Sequence, residues 1–260
     1  MEFIRSIRSR SFLSESAYVF LNVALAAVIF ALVLGVNNIW LPLILVLISK
    51  WRVLAVRVRY WWVNIISNMV DLIVSIGYVV LLYSATGAIA LQVAMLVLFI
   101  FWLLVVKPSS SKAMVSVQAL TAVFVGTTSL AILAYDIDVM IFVVAMWVIG
   151  YLTTRHFLTV YELAESKLLC LGWGLVLAEL GWIGYHWLFT YTVAGTASFK
   201  LVQLSLIATL LSFLAGRAVE LATNGKKFKF KDLAFPALFS FGLIAILVLI
   251  FDNINVVGSI

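Results

Sequence analysis

Apolar residues neither alternate along this chain nor recur every three or four positions. They come in long runs separated by short polar breaks, at 17–35, 39–49, 61–83, 88–106, 114–135, 139–154, 168–190, 201–219 and 233–251. A helix needs about 20 apolar residues to cross the roughly 30 Å of bilayer hydrocarbon, and most of these runs come close to that length. The breaks carry turn chemistry or charge, as helix ends should: Ser84-Ala85-Thr86-Gly87, Lys107-Pro108-Ser109, Asp136-Ile137-Asp138 and Asn224-Gly225-Lys226-Lys227. The run at 39–49 is short, and it is expected to continue to about Val56, with Lys50 and Arg52 stretching out to the interface. The first run follows Arg5, Arg8 and Arg10 and exceeds the 7–15 residues of a signal-peptide core, so it reads as a retained anchor.

Composition agrees with the pattern. Of 260 residues, 65% are hydrophobic and 11% charged, against about 45–50% and 25% in soluble domains. That excludes a water-soluble enzyme and a disordered chain. The expected fold is all-α, a polytopic membrane bundle of about nine spans forming one domain over residues 1–260. Residues 1–16 and the loop 225–232 are placed in the cytoplasm.

The net charge of +6 gains meaning only by position. With the N-terminus inside, every one of the 17 basic residues except Lys200 falls on the cytoplasmic side, while Asp136, Asp138 and Asp252 fall outside. The C-terminus is then outside. The partner implied is the lipid bilayer of a plasma or bacterial inner membrane, and not nucleic acid. Four lysines, Lys226, Lys227, Lys229 and Lys231, alternate with Phe228 and Phe230 in one loop, a pattern suited to docking on anionic lipid.

Polar side chains inside such a bundle are expensive and turn inward. Asn64, Asn68, Asp71 and Ser75 recur at helical spacing and share a face about 60° wide. Asp71 stands ten residues after Trp61, about 15 Å along the helix. Inserting its carboxyl costs about 2.5–3.5 kcal/mol, so it needs a partner or a proton. Glu179 and His186 share a face of a later span, with Glu179 again at mid-depth. The expectation is one midplane centre built by Asp71 and Glu179, supported by Asn64, Asn68 and Ser75, with His186 toward the outside as part of a proton path.

Other polar positions read as structural. Gly174, Ala178 and Gly181 form a small-residue packing face. Gln92, Gln118 and the stripe Ser205, Thr209, Ser212 and Gly216 read as packing contacts. Arg217 and Glu220 are expected to pair, and Arg155, His156, Tyr161, Glu162 and Glu165 to form a solvated extension. There is no phosphate-binding loop, dinucleotide fingerprint, zinc-protease or serine-hydrolase motif. Two histidines and the lone Cys170 offer no metal cluster and no intramolecular disulfide. No cofactor, metal or enzymatic activity is expected.

Three functions fit: a small-solute or ion transporter with proton coupling through midplane carboxylates; a non-catalytic membrane subunit or scaffold that meets a protein partner or its own copy; and an enzyme on a lipid-linked substrate. The third would need clustered catalytic groups at the interface, and none stands out.

The topology is open to cysteine labelling in a Cys170-free background. A cysteine at Lys229 should react only after the cytoplasm is opened. Reaction in intact cells overturns the arrangement.

Overall fold

In the computed structural model, residues 12–36, 38–53, 55, 57–161, 163, 165–187, 189–192, 199–223 and 230–249 are described. The helices are α1 (Phe12–Gly35), α2 (Trp40–Ser49), α3 (Trp61–Ser84), α4 (Ile89–Phe101), α5 (Lys112–Ile132), α6 (Val139–Leu158), α7 (Ser166–His186), α8 (Gln203–Thr223) and α9 (Phe230–Leu249). A two-stranded antiparallel ribbon, β1 (Thr190–Thr192) with β2 (Lys200–Val202), joins α7 to α8 and pairs Tyr191 with Leu201. This ribbon was not anticipated. Among the described residues eight helices are long and apolar enough to cross a membrane.

The ninth expected span is corrected. α2 is a 10-residue helix ending at Ser49, about 15 Å long and half of a bilayer crossing. Beyond the turn at Lys50 the chain goes on through short 3₁₀ turns, Trp51–Val53 and Val58–Tyr60, before α3 begins. Asn64 Nδ2 donates to the Val53 carbonyl at 2.6 Å, so irregular backbone lies beside the first turn of α3. Trp40–Ser49 is therefore a half-length helix followed, among the described residues, by short 3₁₀ turns, the second of which leads directly into α3.

Local chemistry sets the other ends. Ser111 Oγ accepts the Met114 N–H at the start of α5, and Asp138 Oδ1 accepts the Met140 N–H at 2.7 Å at the start of α6. Gly87, at φ +90°, makes the turn between α3 and α4 in a conformation other residues resist.

The two larger apolar clusters of the core meet along α3 and α5. One gathers Ile29, Val46, Val79, Leu82 and Leu103 from α1 to α4; the other gathers Phe142, Met146, Leu177 and Ala208 from α6 to α8. α6 and α7 approach most closely, because glycines remove side chains between them. A Cβ on Gly150 would stand 3.0 Å from the Gly174 Cα, and one on Gly181 would meet the Met146 Cγ at 2.7 Å. The small face of α7 thus packs on α6, as its spacing implied. The opposite faces of the outer helices carry large exposed apolar groups, among them Phe20, Leu98, Leu175, Phe235 and Leu238. Such a surface is stable only in lipid or against another apolar surface.

Gly150→Val should lower thermal stability in detergent by at least the roughly 1–3 kcal/mol of an overpacked core. Gly172→Val, with nothing within 4 Å of its Cβ, is the matched control and should change little. Equal melting shifts for the two variants refute the close α6–α7 contact.

Candidate functional site

The break after α2 falls at a charged contact. Lys50 does not reach for the interface. It turns inward, and its Nζ lies 2.5 Å from Asp71 Oδ2 and donates to Ser75 Oγ at 3.1 Å. From the other side Lys107, just past the end of α4, brings its Nζ to 2.8 Å from the same oxygen. Trp102 Nε1 points at Asp71 Oδ1 across a long 3.4 Å. The exposed fractions of the three charged side chains are 15% for Lys50, 12% for Asp71 and 32% for Lys107. Two cations face one anion, so the centre carries a net charge of about +1.

Of the rest of the polar stripe on α3, Ser75 belongs to this centre. Ser75 Oγ donates to the Asp71 carbonyl at 2.7 Å while receiving Lys50. Asn68 Nδ2 donates to the Asn64 carbonyl, and Asn64 holds the broken chain at Val53. Two turns outward from Asp71, Tyr78 stacks on Phe99 with ring centroids 4.0 Å apart, and its buried hydroxyl has no hydrogen-bond partner among the described residues.

α4 is modified where it passes Asp71. Its last turn, Trp102–Val106, is a π-helix, a form that leaves carbonyls to be satisfied from elsewhere. Tyr18 Oη donates to the Leu103 carbonyl at 3.1 Å. Gln118 Nε2 donates to the Val106 carbonyl at 2.6 Å and the Ser109 carbonyl at 2.8 Å. With its nitrogen so engaged, the Gln118 amide turns its oxygen to His156 Nε2 at 2.7 Å, and that nitrogen must carry the hydrogen. Gln118 and His156 therefore hold the end of α4 that presents Lys107. Gln118 is a packing contact, as its place in an apolar span implies, while His156 is half-buried against it rather than part of a solvated extension.

The expected partnership of Asp71 with Glu179 is also corrected. Glu179 sits on the exposed face of α7, beside Leu175 and Trp182, while the Gly174–Ala178–Gly181 face takes the contact with α6. His186 is exposed too, with Trp182 and Tyr185 edge-on at 4.9 and 5.7 Å. A helix can bury only one of two opposed faces, and the glycines decide which. Of the expected residues, Ser75 joins Asp71; Asn64 and Asn68 bond to the Val53 and Asn64 carbonyls, and Glu179 and His186 face outward. Lys226, Lys227 and Lys229 lie outside the described residues, and Lys231 is exposed at the start of α9. No group of three or more His, Cys, Asp or Glu able to hold a metal occurs among the described residues.

Comparison with known proteins found no matching family model, no matching curated protein and no matching solved structure.

The charge balance orders the variants. Asp71→Asn leaves two ammonium groups facing each other without an anion, and should cost about 3–5 kcal/mol. Lys107→Met leaves a balanced Lys50–Asp71 pair and should cost far less. Heating of detergent-purified variants, followed by size-exclusion recovery, gives the ranking. A Lys107→Met loss as large as that of Asp71→Asn rules out this account.

Proposed function

We propose that this membrane protein is a small-solute transporter, and that the Lys50–Asp71–Lys107 centre handles the solute and a coupling proton. The observation that carries the reading is the convergence of three irregularities at one depth. A crossing breaks at Lys50, a π-helical turn faces it across Trp102, and a buried carboxylate lies between them. Broken helices at mid-membrane are how transporters expose backbone and charge to a solute. π-Turns cluster at functional sites, and ionisable groups at such depth are rarely there for packing.

The chemistry favours an anion. Lys107 is the most exposed member of the centre, and an arriving anion can take its ammonium while Lys50 keeps Asp71. Protonation of Asp71 would free both lysines and raise the local charge by one, which strengthens anion binding. By linkage a bound anion favours that proton to the same degree. Proton and anion would then cross together, with the unpartnered Tyr78 hydroxyl as a donor further along the path.

One observation favours the scaffold reading instead. Both Asp71 oxygens already have partners, which is what a permanent structural knot requires. Proteoliposomes holding a pH-sensitive dye separate the two. Inward gradients of chloride, inorganic phosphate or succinate should drive internal acidification with one of these anions. Asp71→Asn should abolish the proton signal, and Lys107→Gln should raise the anion concentration needed. Absence of proton movement with all three anions favours the scaffold.

A further inference from the structure

The two halves of α8 differ in packing. Its first turns are held by buried Gln203, Leu204, Ser205 and Ala208, and Gln203 Nε2 also donates to the Leu247 carbonyl of α9 at 2.7 Å. From Thr209 to Leu221 no residue is fully buried. There α8 stands away from α6 and α7, and the gap is a cavity of about 570 Å³ reaching α5. Sites that hold small ligands span about 300–1,000 Å³.

The lining divides by depth. The interior is mostly apolar, with Leu120, Val123, Phe157 and Phe213 beside the hydroxyl residues Ser116, Thr153 and Ser212. The mouth is ionic, with Lys112 at the start of α5 and Arg217 and Glu220 on α8. Arg217 pairs with Glu220. Lys112 pairs with no carboxylate among the described residues; its ammonium lies 5.2 Å from the centre of the Tyr161 ring. Burial and the Glu220 carboxylate push the Tyr161 phenol up, against a smaller opposing pull from Arg217. It therefore stays a neutral donor at the mouth.

We infer that this cavity is a binding site for an anionic phospholipid, with an acyl chain among the apolar side chains and the phosphate at Lys112 and Arg217. Three features select this occupant. The opening lies at the end of the bundle that the positive-inside pattern assigns to the cytoplasm, the depth of headgroups. The unbalanced charge at the mouth is positive, the sign that anionic lipid complements. An interior built mostly of leucine, valine and phenylalanine matches a hydrocarbon chain. The inference is independent of the transport reading, since none of the lining residues belongs to the Asp71 centre.

Native mass spectrometry of the full chain, purified in detergent and titrated with dioleoyl-phosphatidylglycerol, dioleoyl-phosphatidylcholine or inorganic phosphate, tests it. Wild type should retain phosphatidylglycerol over phosphatidylcholine, and phosphate should not compete. Lys112→Gln, at an exposed position in the first turn of α5, should weaken retention about fivefold, the value of one charge near an anionic headgroup. Gly216→Leu fills the cavity, because only Phe157 ring carbons lie within 4 Å of its Cβ position, at 3.5 and 3.6 Å. It should remove the tightly held lipid. Replacing Lys226, Lys227, Lys229 and Lys231 by glutamine should leave that lipid bound. Equal retention of the two phospholipids overturns the proposal, as does competition by phosphate. So does loss of lipid with the loop variant but not with Lys112→Gln, which would place the lipid on the loop.

Discussion

A carboxylate halfway along an apolar helix has to be matched by cations, and the surroundings of Asp71 follow from that requirement. Asp71 has no basic residue within two turns on α3, so its counter-ions come from other elements. Lys50 reaches it from the C-terminal end of α2, where the helix stops after 10 residues. Lys107 reaches it from below, from a helix end held by Tyr18, Gln118 and, through Gln118, His156. A continuous α2 would carry the backbone past Asp71 in regular form. The break instead leaves irregular chain beside Asn64, which holds it through the Val53 carbonyl.

Around that centre the bundle is tight where glycine permits and loose where nothing demands contact. α6 and α7 interlock through Gly150, Gly174 and Gly181, and α3 meets α5 where Gly77 faces Val125. In a membrane, helices gain little from hiding apolar surface from each other, since lipid tails are equally apolar. Close association therefore needs small residues or polar contacts. The C-terminal half of α8 offers α6 and α7 only Gly216 beside Phe157 and the Ser212 hydroxyl, which accepts from Trp173 Nε1 at 3.2 Å. It stands apart and leaves the cavity open. The two features divide the molecule: a charged centre on the α2–α4 side and an apolar cavity on the α5–α8 side.

Some of the Asp71 site was legible from spacing. Asn64, Asn68, Asp71 and Ser75 fall on one face by helical periodicity, and Ser75 bonds within the Asp71 centre. Lys50 was within reach of the same arithmetic. It follows the turn at Asn38 by 12 residues, and Asp71 precedes the turn at Ala85 by 14, so both lie at nearly one depth. Treating Lys50 as an interfacial residue of a full span hid that. Gln118 and His156 left no comparable signal, because their role depends on which helix end they meet.

The chain by itself determined that it is helical and apolar enough for a membrane, and where its helices other than α2 lie. Those properties rest on local quantities: run length, turn chemistry and side-chain charge. Only the tertiary structure decided which faces are buried. Glu179 and Asp71 look alike in sequence, each a lone acid at mid-helix, yet one faces outward and the other is held between two lysines. The difference lies in contacts between residues far apart in the chain. Glycines on α7 claim its buried face for α6, while α3 turns its acid toward the one helix that stops halfway.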